Sequence, residues 1–287
     1  ERSRTIDPFD LSLSPRGGST VFAGLDTGDR CWFTAKDVAS RTDKRILWAE
    51  QLSPEKCRDR IPALCASLGV STLFIDIGAE RSLARDLCFI LNGLLGFQFP
   101  KLPDPEKATI YFPWGGLVWR GDKQEWSGLR CAAVEFSLKD GQGIRQKLGI
   151  TQDGQMYPVI QCNRDESIQR VVNELLTATE DVIDVVDGKL RTEPILRLPQ
   201  KIPGSPVVVD LLERHMLAGS RKEKDDKGTM RFVDKIENHL LLSATYASLA
   251  ELTAASANTA KQYFIPVRTN NHITRVMDNR RDRSLAL

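Results

Sequence analysis

Two aspartates have the surroundings that metal-assisted chemistry needs. Each closes an apolar, β-prone run and opens a short turn: Leu25-Asp26-Thr27-Gly28 and Ile75-Asp76-Ile77-Gly78. In α/β proteins, ligands gather at the carboxyl ends of strands. On neighbouring strands of one sheet, the two carboxylates would repel each other unless a cation sat between them. Mg²⁺ or Mn²⁺ suits such a pair, because hard cations take oxygen ligands and keep waters for chemistry. Two ions about 4 Å apart can activate a water and stabilise the leaving 3′ oxygen of a phosphodiester. A single aspartate at a strand end is commonly only a turn or capping residue. The repetition of the pattern gives the pair its weight.

The elements that must carry these residues follow from periodicity. Ser19–Leu25 predicts a strand ending at Asp26, Arg30–Val38 a second strand, and Arg45–Leu52 a third. Ser53 and Pro54 open a helix as N-cap and first helical residue, and Gly69 stops it. Val70–Ile77 is a strand delivering Asp76, and Glu80–Leu95 an amphipathic helix. The order over 19–95 is therefore β-β-β-α-β-α.

Beyond about residue 100 the pattern becomes β-rich. Strands are expected at Arg130–Leu138, a hairpin over Ile144–Cys162, a helix over Asp165–Thr179 and a hairpin over Val182–Leu198 turning at Asp187-Gly188. This reads as an insertion spanning about 100–205. Pro206–Leu217 is a short ordered segment, Val233–Ala255 an apolar helix, 1–18 a linker and 256–287 a basic tail.

Composition is permissive. The 287 residues include 41% hydrophobic and 27% charged, ordinary for a soluble globular protein, with a net charge of +2. No apolar run approaches the roughly 18 residues of a membrane span, and the N-terminus has no secretory h-region. Glu1 stands where an initiator Met would, which suggests a fragment or processed chain. The six scattered cysteines read as free thiols. The stretch from Arg268 to Arg283 holds five arginines against two aspartates, and 221–227 is a mixed-charge run expected to be a solvated loop. Arg30, Lys36, Arg221, Lys222 and Lys224 are candidates for nucleic-acid backbone contacts. Trp114, Trp119 and Trp126 could stack on bases, although packing is the commoner use of such residues.

A family resemblance enters at the closing helix. Glu237-Asn238-His239-Leu240-Leu241-Leu242-Ser243-Ala244-Thr245-Tyr246-Ala247 resembles the closing motif of viral terminase large subunits, those of tailed phages included. Phe22-Ala23-Gly24-Leu25-Asp26-Thr27-Gly28 resembles the opening strand of their nuclease domain, and Phe74-Ile75-Asp76-Ile77-Gly78 its second acidic strand. The resemblance covers about 19–95 and 230–250. It implies a ribonuclease-H-like mixed sheet with flanking helices, and a metal-dependent endonuclease acting on double-stranded DNA. Asp26 would bridge two ions, Asp76 would hold one, and Glu237 or Asp234 would supply the third carboxylate. Asn238 and Leu242 stand where the family often has acids. By implication the partners are a packaging ATPase domain, which this chain lacks, a small terminase subunit and a portal, in the host cytoplasm.

Two other classes fit some of the same residues. An actin-like or sugar-kinase ATPase also uses two D-x-G motifs, but places them in separate lobes with a far longer interval than the 50 residues here. A catalytically inactive scaffold binding DNA or a portal would explain the weak third acid.

Overall fold

The computed structural model describes residues 15–92 (79 apart), 117–120, 123–126, 131–177 (153 and 155 apart), 182–183, 190–191, 194–199, 208–220, 222–224, 228, 230–232 and 237–261. Asp234, Arg221, Trp114, the turn at 187–188 and the 262–287 segment lie outside the described residues, as do the first 14.

In chain order the elements are β1 (Thr20–Asp26), β2 (Cys31–Val38), β3 (Lys44–Leu52), α1 (Pro54–Ser67), β4 (Val70–Asp76) and α2 (Arg81–Leu91). Then come β5 (Leu117–Arg120), β6 (Lys123–Trp126), β7 (Cys131–Phe136), β8 (Arg145–Ile150), β9 (Met156–Cys162) and α3 (Arg164–Leu176). The chain continues through β10 (Val182–Ile183), β11 (Leu190–Arg191), β12 (Leu196–Arg197), α4 (Val209–Gly219), β13 (Lys222–Lys224), β14 (Met230–Phe232) and α5 (His239–Lys261). The β-β-β-α-β-α opening is as the periodicity predicts.

One sheet of eight strands organises the molecule, in the order β12-β3-β2-β1-β4-β7-β9-β8. The first three strands form an antiparallel meander, and β4, β7 and β9 continue from β1 in parallel. The sheet is therefore mixed, with helices flanking it, as the motifs imply. The stretch expected as an insertion divides differently: β7, β8, β9 and β12 complete the central sheet, while β5–β6 and β10–β11 form hairpins of their own. Periodicity could not separate the two cases, because a sheet strand and a hairpin strand share the same two-residue repeat.

Alternation along β1 sends Ala23 and Leu25 to one face and Phe22, Gly24 and Asp26 to the other. Helix α5 lies across that second face. A Cβ on Gly24 would sit 1.9 Å from the Ser243 carbonyl oxygen and 2.7 Å from the Ala247 nitrogen, so only glycine lets helix and strand meet this closely. The Ser243 hydroxyl donates to the Gly24 carbonyl at 2.9 Å and seals the contact. On either side, Phe22, Phe74, Val134, Tyr246 and Leu249 pack into a second apolar cluster.

Lys36 falsifies one sequence expectation. It is fully buried, with its ammonium 2.6 Å from Glu174, 2.7 Å from Glu251 and 2.7 Å from the Ser248 hydroxyl. It sits on the β2 face that α5 covers, and so offers nothing to nucleic acid. Lys44 reaches the same two carboxylates at 2.6 and 2.7 Å, closing a four-charge cluster between β2, β3, α3 and α5. The run at 222–224 is also a strand, paired with 230–232, rather than a loop.

Gly24→Ala is expected to cost about 3 kcal/mol or more, because the helix backbone must retreat from the sheet. Lys36→Ala should cost about 3–5 kcal/mol, the range for breaking a buried ion pair, and leave DNA affinity unchanged. Denaturant unfolding and a salt-dependent binding titration check both.

Candidate active site

The β1–β4 register pairs Leu25 with Ile75, which brings Asp26 and Asp76 side by side at the ends of adjacent parallel strands. Such strands run about 4.8 Å apart. Both side chains point to the α5 face. Asp26 is 4% exposed, and Asp76 is half-buried.

Helix α5 supplies a partner to each carboxylate. One turn before Ser243, the His239 ring reaches Asp26, with Nδ1 2.8 Å from Oδ2. Two turns after His239, the buried Tyr246 lies close to Asp76, whose charge adds to burial in pushing its hydroxyl up. The Thr27 hydroxyl donates to the Asp76 carbonyl at 3.2 Å. The Gly24 contact therefore sets the height of the whole helix, and with it the reach of His239 and Tyr246.

A ring of aromatic and imidazole groups holds His239 in turn. Trp32 is the cross-strand neighbour of Asp26, and its indole lies parallel to the His239 ring at 5.6 Å with a 2° interplanar angle. Fully buried His215, from α4, meets Trp32 edge-on at 4.8 Å. Its Nδ1 accepts the Leu240 backbone N–H at 3.2 Å, one of the donors that a helix start leaves without an internal partner. That bond leaves the ring proton on Nε2, which faces Glu237 at 3.7 Å.

At Asp26 burial outweighs the groups that favour its charged form. Burial, reinforced by the charge of Asp76, lifts Asp26 to about 6 against the pull of His239 and Arg164. The hydrogen bond to Asp26 raises His239. Burial pushes Tyr246 up, with both aspartates adding to it. Burial lowers His215 to about 4, in keeping with a neutral ring.

Glu237 lies elsewhere. It precedes α5, whose first hydrogen bond runs from the Leu242 N–H to the Asn238 carbonyl, so the helix begins six residues later than periodicity suggests. The Glu237 side chain is 66% exposed and pairs with Arg214 at 2.7 Å. Leu240 and Leu241 are fully buried, and 233–236 lie outside the described residues. Among the described residues, no three His, Cys, Asp or Glu side chains are arranged as a preformed metal site.

No family model matches the chain, and no curated protein does either. Among solved structures, the chain is similar to the large terminase nuclease from thermophilic phage G20c. The identity is 11% and the TM-score 0.41, over 82% of this chain and 84% of that one. It is also similar to the human cytomegalovirus terminase nuclease domain, Mn soaked, at 10% identity and a TM-score of 0.37 over 82% and 86%.

Other positions are now placed. Arg30 is exposed beside the Gln51 amide oxygen. Lys222 and Lys224 are exposed on β13, with Lys222 4.6 Å over the Phe232 ring. Arg164, which the sequence did not single out, contacts the Phe232 carbonyl at 3.4 Å and lends positive charge to Asp26. No helix among the described residues is long and apolar enough to cross a membrane.

Asp26→Asn tests the electrostatic picture. A buried acid raised to about 6 binds its proton more tightly folded than unfolded, so its contribution is full at low pH and is lost as pH rises through about 6. His239, also raised, is lost in the same direction at higher pH. His215 works oppositely, losing stability as pH falls from its unfolded value towards about 4, and does so in both proteins. Thermal melts from pH 4 to 9 should therefore show the wild type losing stability relative to Asp26→Asn, with the variant the more stable at pH 8.

Proposed function

We propose that the chain is a metal-dependent endonuclease that hydrolyses phosphodiester bonds of double-stranded DNA, with Asp26 and Asp76 holding a divalent cation. The observation that carries this is the pair itself: two oxygen-donor side chains at adjacent strand ends, one of them raised by burial and by its neighbour's charge. A hard cation such as Mg²⁺ or Mn²⁺ fits that donor chemistry and would relieve the repulsion. What such an ion supplies is acidification of a water and stabilisation of the departing 3′ oxygen.

The chain's own residues prepare the site. His239, its ring parallel to Trp32, orients Asp26, and Tyr246 lies buried beside Asp76. Arg164 lies at the edge of the site, and the β13–β14 hairpin adjoins it through Phe232. Lys222, Lys224 and Arg30 would follow the DNA backbone, positioning the duplex without reading its sequence. A second ion, as in the two-ion form of this chemistry, would draw on Glu237 released from Arg214, or on Asp234. In keeping with the terminase resemblance, the partners would be a packaging ATPase, a small subunit and a portal, in the host cytoplasm.

One observation favours a second reading, an inactive DNA- or portal-binding scaffold: Glu237 is engaged by Arg214 and not by the aspartate pair. The ATPase reading has less support, since both D-x-G motifs lie on neighbouring strands of one sheet.

Plasmid nicking with Mn²⁺ separates these readings. The wild type should nick, while Asp26→Asn and Asp76→Asn should fall to the no-protein background. Nicking by Asp26→Asn at the wild-type rate would defeat the proposal, and DNA binding without cleavage would favour the scaffold. Metal at a hundredfold excess over its Kd should stabilise the wild type by about 2.7 kcal/mol. Lys222→Ala and Lys224→Ala should each lower the salt slope of DNA binding by about 1.

A further inference from the structure

The metal reading above leaves open which side chain joins the aspartate pair as a third ligand. The sequence offers two acids near the start of α5. Glu237 is directed to Arg214 at 2.7 Å and is 66% exposed, while Asp234 lies outside the described residues. Among the described residues, the metal-ligating side chain of α5 that reaches the pair is the His239 imidazole.

We propose that His239 is the third ligand of the cation held by Asp26 and Asp76, binding through Nδ1 and making the donor set one nitrogen and two carboxylates. The inference rests on the metal reading and adds the identity of the ligand. Its support is geometric. Two neighbouring ligands on an octahedral ion, each at about 2.1 Å, lie about 3.0 Å apart. The Asp26 Oδ2 to His239 Nδ1 separation is 2.8 Å, so an ion can replace the hydrogen bond between them with little movement of either atom. The His239 side chain is 46% exposed where Asp26 is 6% exposed, which opens the pair to solvent on the imidazole side. Trp32, parallel to the ring, fixes the direction in which Nδ1 points. The three groups are not assembled around one point beforehand, and Asp76 would join directly or through a water.

A nitrogen donor changes the metal preference. Imidazole suits transition-metal ions, of which Mn²⁺ is the weakest binder, better than it suits Mg²⁺, which keeps to oxygen donors and water. The full chain should therefore bind Mn²⁺ more tightly than Mg²⁺ in calorimetric titration. Pulsed electron paramagnetic resonance of the Mn²⁺ complex should display coupling to one ¹⁴N nucleus. His239→Ala and His239→Gln, verified as folded by circular dichroism, should lose that coupling and weaken Mn²⁺ binding by about tenfold or more. His239→Asp should lose the coupling and shift the preference towards Mg²⁺. Mn²⁺ binding that requires Asp26 but has no ¹⁴N coupling would overturn the inference and leave the metal reading standing. Undiminished Mn²⁺ affinity in both His239→Ala and His239→Gln would do the same. Failure of the wild type to bind Mn²⁺ at millimolar concentration would overturn both.

Discussion

The close approach of α5 to β1 at Gly24 governs the geometry of everything around the aspartate pair. A helix packed on a sheet normally stands off by the depth of the side chains between them. Here the helix backbone descends onto a glycine, with the Ser243 carbonyl in the space a Cβ would fill. That descent puts His239 one turn up within hydrogen-bond distance of Asp26, and Tyr246 within reach of Asp76. A helix one side chain higher would leave both carboxylates to solvent, and the proton affinity of Asp26 would relax towards its ordinary value.

Holding a helix so low requires compensation on the same face. Lys36 and Lys44 enter from the sheet, and Glu174 and Glu251 from α3 and α5, forming a closed cluster of two cations and two anions. Desolvating four charges is costly, and an apolar substitute of equal volume could be as stable. The mutual pairing does specify how α3 and α5 sit on the sheet, since any slippage would strand a buried charge. At the start of α5, neutral His215 accepts the Leu240 N–H beside Trp32. The helix is thus pinned by charge at one end, by a glycine contact in the middle and by an imidazole at its start.

A buried acid beside a second acid is an electrostatic liability in a protein that has no use for it. Charge from His239 and Arg164 offsets that liability only in part, since Asp26 remains raised. This imbalance separates the pair from ordinary turn aspartates, which are solvated or capped.

Much of this was legible in the chain itself. Local signals such as alternation up to Asp26 and Asp76, the Ser53-Pro54 helix start and the Gly69 stop depend on neighbours in sequence, and the elements over 19–95 follow from them. The adjacency of the two aspartates also followed, because a meander, a helix and a strand leave few ways to return to β1. Tertiary structure alone decided the rest. Strands of the 131–162 stretch joined the central sheet, a matter of pairing between residues far apart in sequence. Lys36 looked like a surface cation because its partners lie 138 and 215 residues away, at Glu174 and Glu251. His239 and Glu237 are two positions apart, yet one meets Asp26 and the other Arg214. Sequence spacing names the residues near a helix start, but the height and rotation at which the helix lands on the sheet select which of them touches the carboxylates.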